Sequence, residues 1–420
     1  MKHLLHLAWR SAWNRRLTLG LTLTAITLSV TLLLGVERLR QEAHRGFSLS
    51  VSGTDLVVGA RTSPVQLMLY SVFRIGEATS NMRWQSYQRI AAHPLVAWAV
   101  PVSLGDSHRG FPVLGTTSAY FEHFRYGDAR KLEFVSGHPF QQTFDVVLGA
   151  DVAKRLGYQP GDRIVLSHGT GESGLPEHGD KPFRITGILA ATGTPVDRTL
   201  HIFLEGMTAI HLDWMGGVPM PGFHIPSEHV KKFDLTPKEI TAVLVGLKSR
   251  AAVFRVQREI NENPDEALLA VMPGVALEQL WQVAAVAEKS LFAISVLVVI
   301  TSLAGLMSVL LASLNERRRE LAILRATGAR PRDILLLMTG ESLLVTLIAE
   351  LAGVLLLLGA SAMMAPVIQA RLGITMSTSG LTLEELYLLA AIAGVGLLTG
   401  LLPAWRAYRI SLADGLIPRN

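Results

Sequence analysis

Four long apolar runs stand out along the chain, at residues 17–37, 288–314, 334–362 and 385–404. About 20 consecutive, mostly apolar residues are needed for a helix to cross the hydrocarbon core of a bilayer. Each run meets that length with few charges, so the pattern predicts four transmembrane helices. Between the first and second runs, short apolar stretches alternate with turn residues, which predicts a water-soluble domain.

The first run has an alternative interpretation as a signal peptide, because Arg10, Arg15 and Arg16 precede it. Its apolar core is too long for that, and no small-x-small cleavage site comes before Glu37. The sequence therefore predicts an uncleaved membrane anchor.

Positive charge predicts the orientation of the four helices. Arg15 and Arg16 precede the first run, six arginines lie within residues 317–332, and Arg406 and Arg409 follow the fourth run. Short loops rich in Lys and Arg stay in the cytoplasm. These three basic segments are on one side of the membrane if both termini are cytoplasmic, and an even number of spans agrees with that.

The resulting topology is that of a multi-pass membrane protein. Residues 38–287 and the loop 363–384 are predicted to lie on the outer side of the membrane. The loop 315–333 and the tail 405–420 are predicted to be cytoplasmic.

The first 16 residues are predicted to form an amphipathic helix in the membrane interface. Apolar side chains recur there at helical spacing, and paired tryptophans suit the interfacial level. The apolar stripe consists of Leu5, Ala8, Trp9, Ala12 and Trp13. The alternative is an ordinary helix start that is continuous with the first span.

Composition argues against a nucleic-acid-binding protein and against a disulfide-stabilised one. Apolar residues make up 49% of the chain, and the formal net charge is only +5, with the excess at the membrane flanks. There is no cysteine, so disulfides, a thiol nucleophile and a cysteine metal site are excluded. A protein with a few transmembrane helices and one large soluble domain fits this apolar fraction and this net charge.

The region 38–287 is predicted to be α+β. Short stretches rich in β-branched residues are bounded by Gly, Pro and Asp, as strands and tight turns are. The predicted strands are 55–59, 146–149, 163–166, 183–189 and 241–247, and the predicted helices are 150–156, 251–261 and 277–290. The last helix runs into the second span without a breaker, as a rigid stalk would. Two turn-rich insertions, 167–181 and 211–232, interrupt the region.

Known catalytic motifs do not appear in a usable context. Residues 169–174 match G-x-G-x-x-G, but the following segment, with Pro176 and Pro182, cannot form the helix that dinucleotide binding needs. The chain has no P-loop, no H-E-x-x-H and no G-x-S-x-G. We therefore assign no catalytic residue and expect no cofactor bound by this chain.

Eleven of the thirteen histidines lie in residues 38–287, several of them in the two insertions. Imidazole and carboxylate together can bind zinc, but the spacings match no compact site. We expect solvated loop side chains and no metal site, with metal handling as the alternative. The weak candidates for that alternative are His168, His178, His211, His224 and His229.

Polar and small residues interrupt the third and fourth spans. Glu341 and Glu350 lie in the third, and an ionisable group at that depth usually faces a partner or a wet cavity. For Glu350 we favour a polar contact or a protonated acid over a proton relay, with the Ser- and Thr-rich first span as a source of hydrogen bonds. Gly396 and Gly400 permit close helix packing, within the chain or with a second copy.

The cytoplasmic loop carries a family resemblance. Its residues 316–321, Glu-Arg-Arg-Arg-Glu-Leu, and 325–330, Arg-Ala-Thr-Gly-Ala-Arg, resemble the coupling loop of ABC-transporter permeases of the MacB/LolC-LolE/FtsX superfamily. The resemblance implies a helix that docks on a cytoplasmic ATPase. The residues assigned to coupling are Glu316, Arg317, Arg319, Glu320, Leu321, Ile323, Leu324, Arg325, Ala326, Gly328 and Ala329.

Other segments carry the same resemblance. Residues 400–407, Gly-Leu-Leu-Pro-Ala-Trp-Arg-Ala, are similar to the closing motif of that superfamily, and residues 147–162 and 185–197 resemble its periplasmic core. The resemblance implies four transmembrane helices with a MacB-like periplasmic α+β domain between the first two. The chain departs from the pattern at Glu350, where glycine is commoner, and we expect the ATPase to be a separate subunit rather than a domain fused at the N-terminus.

This resemblance implies a non-catalytic, mechanotransmission-type (type VII) permease subunit. The resemblance also implies a location in the bacterial inner membrane, with residues 38–287 and 363–384 in the periplasm. The partners would be a dimer of a separate ATPase, which holds ATP and Mg, a second permease copy in a homodimer or a heterodimer, and a periplasmic binding or adaptor protein. The cargo would be periplasmic or membrane-embedded, such as a lipoprotein, lipid, peptide, small molecule or metal-linked substrate. The alternative is an FtsX-like regulator that activates a periplasmic partner without transport.

The predicted topology can be tested with single cysteines, because the native chain has none. Cysteines at Ser173 and Gly222 should react with a membrane-impermeant thiol reagent in intact spheroplasts, whereas one at Arg330 should not. Labelling at Arg330 alone would invert the topology.

Overall fold

The computed structural model describes residues 16–48, 50–76, 78–169, 178–215, 218–220, 222–326, 328–372 and 380–409. These residues form two compact units. The helical unit comprises the described residues within Met1–Glu42, Ala285–Pro366 and Met376–Asn420. The α+β domain comprises those within Ala43–Ala284 and Val367–Thr375. Of the predicted interfacial helix, all but Arg16 lies outside the described residues.

Helices occur in both units, and the longest are the apolar ones. They are α1 (Arg16–Ser48), α2 (Pro64–Met68), α3 (Trp84–Ala91), α4 (Ala119–His123), α5 (Ala150–Leu156), α6 (Leu204–Ile210), α7 (Val253–Asn261), α8 (Pro273–Ala326), α9 (Pro331–Leu372) and α10 (Leu383–Arg409). A π-helical turn, Leu69–Phe73, extends α2.

The predicted four-span architecture is confirmed. Helices α1, α8, α9 and α10 each contain a segment long and apolar enough to cross a membrane, and each predicted span falls within one of them. Their buried faces form two apolar clusters among the described residues, and in the larger one Val30 of α1, Leu306 of α8 and Ala349 of α9 are fully covered. The faces without such cover are rich in leucine, as expected for helices in contact with lipid.

The segment 315–333, predicted to be cytoplasmic, does not begin a separate helix after the second span, because α8 continues without interruption to Ala326. The chain then turns at Gly328, whose φ of 101° suits glycine and few other residues. Pro331 opens α9, and Asp333 accepts a hydrogen bond from the backbone N–H of Arg330 at 2.8 Å. The predicted coupling residues up to Ala326 therefore extend α8.

Strands are confined to the α+β domain among the described residues. They are β1 (Leu56–Ala60), β2 (Met82–Arg83), β3 (Val96–His108), β4 (Phe111–Thr116), β5 (Arg125–Tyr126), β6 (Arg130–Lys131), β7 (Phe134–Gly137), β8 (Asp145–Leu148), β9 (Arg163–Ile164), β10 (Ser167–His168), β11 (Phe183–Leu189), β12 (Leu200–Phe203), β13 (Trp214–Met215), β14 (Val218–Pro219), β15 (Glu239–Ile240), β16 (Ala242–Leu247) and β17 (Leu268–Val271).

One mixed sheet organises this domain. Its order is β17-β1-β16-β3-β4-β12-β8-β11-β7, with β10 added to β3 and β9 added to β11. The pairs β12–β4 and β11–β8 are parallel, and the other pairs are antiparallel. The predicted α+β class is confirmed.

Both faces of the sheet are buried. On β1, Leu56 and Val58 belong to one apolar cluster, which includes Val256 and Ile260 of α7. Val57, between them, belongs to the cluster on the other face. Period-two alternation thus places successive side chains of β1 in two cores.

The predicted strand 163–166 is only half right. Arg163 and Ile164 pair with β11, but the next two carbonyl groups bond outside the ladder. Val165 O accepts from Nδ1 of His108 at 2.6 Å, and Leu166 O accepts from the backbone N–H of His178 at 2.8 Å. These side-chain and loop contacts end β9 early.

Candidate functional sites

The predicted coupling segment is described only in part. Arg325 and Ala329 are half-buried, and Ala326 and Gly328 are exposed. The other assigned side chains lie outside the described residues, although their backbone is helical; they are Glu316, Arg317, Arg319, Glu320, Leu321, Ile323 and Leu324. The docking role of this segment therefore stays a prediction.

Glu350 is buried inside the helical unit, with 7% of its surface exposed. Among the described residues, no hydrogen-bond partner reaches its Oε1. The threonines of α1 do supply hydrogen bonds to α9, but to backbone carbonyls: Thr31 Oγ1 donates to Gly353 O at 3.1 Å, and Thr27 Oγ1 to Ala349 O at 3.4 Å. The expectation that the first span offers partners to Glu350 is therefore wrong for these two threonines. Glu341 is half-buried.

Gly396 and Gly400 are both covered by α9 of the same chain. A Cβ atom added at Gly396 would lie 2.4 Å from Thr346 Oγ1, and one at Gly400 would lie 2.7 Å from Ser342 Cβ. Ser342 also donates a hydrogen bond to Gly396 O at 2.7 Å. The G-x-x-x-G face of α10 is therefore used for packing within the chain.

A buried ion pair joins α1 to α10. Arg38 donates to Glu385 through Nε at 2.9 Å and through Nη2 at 3.0 Å, and the exposed fractions of the two side chains are 5% and 0%. The backbone N–H of Thr382 also donates to the Glu385 carboxylate, at 2.9 Å, while Thr382 Oγ1 accepts from the Glu385 N–H. This is a capping box at the start of α10.

Sequence analysis missed this pair. The Thr-x-x-Glu pattern before the fourth apolar run was the available signal, but nothing local connects it to a residue 347 positions earlier. Arg40 adds more exposed contacts with Glu37, Glu288 and Glu384. The ends of three predicted spans thus share one group of charges.

In the α+β domain, three histidines from the two insertions converge on Asp106. The Oδ1 atom of Asp106 lies 3.3 Å from His168 Nδ1, 3.5 Å from His211 Nε2 and 3.9 Å from His178 Nε2. Asp106 and His178 are fully buried, whereas His168 and His211 are half-buried. The expectations of solvated histidines and of no compact grouping are therefore wrong for these three; His224 and His229 are exposed.

The local fold explains this convergence. Asp106 lies in a bulge of β3, where the register with β4 shifts between Leu104 and Ser107, and a bulge re-aims the side chains near it. His168 is the direct cross-strand partner of Asp106. His211 caps the C-terminal end of α6. Sequence analysis missed Asp106 because its strand partner is known only once the register is known.

Asp106, His168, His178 and His211 are called the histidine cluster from here on. Burial and neighbouring groups decide which of its members are charged. Burial alone would raise the pKa of Asp106, but the facing imidazoles of His168 and His211 lower it to about 2. Burial lowers the pKa of His178 to about 4. At neutral pH the carboxylate is therefore ionised, and His178 is neutral.

A second group of charged side chains lies in the same insertions. It consists of two carboxylates, Asp180 and Asp213, that are already paired with Lys181. The Nζ atom of Lys181 donates to Asp213 Oδ1 at 2.6 Å and lies 3.0 Å from Asp180 Oδ2. His224 Nδ1 lies 3.5 Å from both carboxylates. Since the buried ammonium group balances these acids, the group is an ion-pair network, which connects the first insertion to the second.

Comparison with known families matches nearly the whole chain. Residues 19–263 match the MacB-like periplasmic core domain, and residues 292–412 match the FtsX-like permease C-terminal family.

Curated relatives are export proteins by name. The chain is 25% identical to the pyoverdine export ATP-binding/permease protein PvdT of Pseudomonas entomophila, over 98% of this chain and 59% of PvdT. It is 25% identical to the macrolide export ATP-binding/permease protein MacB of Azoarcus sp., over 93% of this chain and 56% of that protein. The chain thus spans less than two thirds of these relatives.

A structural comparison aligns 56% of the chain with 94% of the periplasmic region of MacB from Actinobacillus actinomycetemcomitans. The TM-score is 0.32 and the sequence identity is 11%.

The buried ion pair makes a testable prediction about stability. Arg38→Met should lower the free energy of unfolding by about 3–5 kcal/mol, because it leaves the Glu385 carboxylate buried without its partner. Arg38→Met combined with Glu385→Met should recover most of that loss, because both charges are then gone. Thermal unfolding of the full chain in detergent, followed by tryptophan fluorescence, measures both effects.

The matched control is Glu384→Gln, because Glu384 is 64% exposed and lies 3.5 Å from Arg40. An exposed pair contributes at most about 1 kcal/mol, so this change should be nearly neutral. A double variant as unstable as Arg38→Met would contradict the role given to the buried charges.

Proposed function

Because the chain belongs to the superfamily of ABC-transporter permeases that combine a MacB-like periplasmic core domain with an FtsX-like permease C-terminal region, we propose that it is a permease subunit driven by a cytoplasmic ATPase. In this proposal the chain itself hydrolyses nothing, and ATP with Mg binds to a partner ATPase dimer. A second permease copy completes the assembly in the bacterial inner membrane, with both termini cytoplasmic.

One observation supports the mechanical part of this proposal best. Helix α8 is a single helix of 54 residues, about 80 Å long at a rise of 1.5 Å per residue. It begins in the α+β domain and ends in the segment assigned to coupling. A continuous helix resists compression better than a chain with a hinge, so a push at Ala326 would be passed along it.

Polar contacts between the four spans support a helix bundle that moves as one piece. Ser29 Oγ and Ser302 Oγ are 2.6 Å apart, which joins α1 to α8. Thr31 and Ser342 add hydrogen bonds from side chains to the backbones of neighbouring spans. Such bonds are each worth about 0.6–2 kcal/mol in a bilayer.

In the proposed cycle, ATP binding brings the two ATPases together and shifts the ends of α8 in both permease copies. The α+β domains then move, and they act on periplasmic or membrane-embedded cargo, with or without a periplasmic adaptor. Export names among the relatives, PvdT and MacB, favour transport over the alternative of an FtsX-like regulator.

Docking of the ATPase can be tested at the end of α8. We expect Leu321, Ile323 and Leu324 to fill an apolar groove on the ATPase, within a rim formed by Glu316, Arg319, Glu320 and Arg325. Buried apolar anchors dominate such interfaces, at about 2 kcal/mol or more each. Leu321→Asp with Leu324→Asp removes two such anchors, about 4 kcal/mol together, and should therefore weaken ATPase binding by about 700-fold, since 1.4 kcal/mol is a factor of ten.

The measurement is co-purification of an ABC ATPase from native membranes, with the ATPase identified by mass spectrometry. Arg332→Gln is the matched control, because it removes a charge from the same loop and leaves the apolar anchors. Retention of the ATPase by the double variant at the wild-type ratio would rule out this docking segment.

A further inference from the structure

We propose that Asp106, His168, His178 and His211 bind one divalent transition-metal ion, and that zinc suits the site best. The site lies in the α+β domain, so the inference does not depend on an ATPase or on transport.

The ligand atoms of the four side chains lie close enough together to surround one metal ion, and three of the distances between them are near those of a tetrahedral site. Zinc bonds of 2.0–2.1 Å to N and O imply ligand-to-ligand edges of about 3.3–3.4 Å in a tetrahedron. Oδ1 of Asp106 lies 3.3, 3.5 and 3.9 Å from the nitrogen atoms of His168, His211 and His178. His168 Nδ1 and His211 Nε2 are 3.1 Å apart, and all four ligand atoms lie within 4.8 Å of one another.

Unsatisfied polar atoms point to a ligand in this position. Within the described part of the chain, neither oxygen of Asp106 and neither ring nitrogen of His178 has a hydrogen-bond partner, although both side chains are fully buried. Leaving a buried polar atom without a partner costs about 1–3 kcal/mol, and more for a charged one. A metal ion would satisfy Oδ1 of the carboxylate and Nε2 of His178.

One ligand is already oriented for coordination. His211 Nδ1 lies 2.8 Å from Met207 O, and a carbonyl only accepts, so the proton of a neutral ring is on Nδ1. The lone pair on Nε2 then faces Asp106. A histidine that binds metal usually donates its other N–H to such an outer partner.

The types of ligand narrow the choice of ion. Three imidazoles and one carboxylate suit zinc and related transition metals, whereas magnesium and calcium prefer oxygen. Four protein ligands fill a tetrahedral shell, which is typical of structural sites rather than catalytic ones. Trp214 covers His178, with 4.0 Å between the ring centroids. We infer that the ion holds β3, β10 and the two insertions together.

The neighbouring acids do not form a second site of this kind. Lys181 already places a positive charge between Asp180 and Asp213. The expected stoichiometry is therefore one ion per chain.

The test uses the full chain in detergent, purified without a polyhistidine tag and stripped with a chelator. Zinc titrated into this protein should bind at one ion per chain and raise the thermal unfolding midpoint, because a ligand that binds only the folded state stabilises it. Cobalt(II) in place of zinc should give the intense visible absorption bands of a four-coordinate site.

Asp106→Asn and His168→Gln should each weaken zinc binding by at least about tenfold, since even changes behind the ligands cost 10- to 100-fold. His224→Gln and His229→Gln are the matched controls, because both histidines are exposed, lie in the second insertion and are outside the cluster. Size-exclusion elution and circular dichroism establish that each variant is folded.

Three results would overturn the proposal: no stoichiometric zinc in the wild type, weak cobalt bands typical of six-coordination, or equal zinc affinity in the wild type and His168→Gln. The cobalt spectrum needs no variant, so it remains decisive if a substitution prevents folding.

Discussion

The structure of the helical unit depends on the cost of leaving a backbone or charged group unsatisfied in the hydrocarbon core. A bilayer offers no water to exposed N–H and C=O groups, so each span has to be a helix. The same cost explains where the polar side chains of these helices lie. Thr27, Thr31 and Ser342 donate to backbone carbonyls of neighbouring helices. Arg38 and Glu385 neutralise each other.

Burial has a different consequence in the α+β domain. Its sheet is covered on both faces, and a polar group on such a sheet has to find a partner inside the protein. Lys181 finds two carboxylates. Asp106 faces three histidines, an arrangement whose unsatisfied atoms a metal ion would complete. These two groups of charged and polar side chains both lie in the region of the two insertions, and Asp106 adds the bulge of β3 to it.

The sequence predicted elements well wherever the evidence was local. The apolar runs identified all four long helices, and the predicted strand at 183–189 and helix at 150–156 agree with the structure in their bounds. Both have a clear period in their apolar residues and turn residues at their ends. The same approach failed for Leu166, whose carbonyl bonds to a loop rather than to a strand.

Long-range pairs could not be predicted in the same way. Arg38 and Glu385 each look like an ordinary charge at the end of a span, and only the packing of α1 beside α10 makes them one ion pair. His168 and Asp106 become neighbours through a strand register that no local pattern encodes. His168, His178 and His211 were therefore predicted to be solvated, although all three were singled out by type.

The proposed function requires that ATP binding by the partner ATPase moves the α+β domains. A single cysteine at Lys154, which is exposed on α5, would carry one spin label per chain because the native chain has no cysteine. Double electron–electron resonance on the assembly with its ATPase measures the distance between the two labels. We predict that this distance distribution changes between the nucleotide-free and the ATP–vanadate states. The same distribution in both states, in an assembly that hydrolyses ATP, would contradict the account.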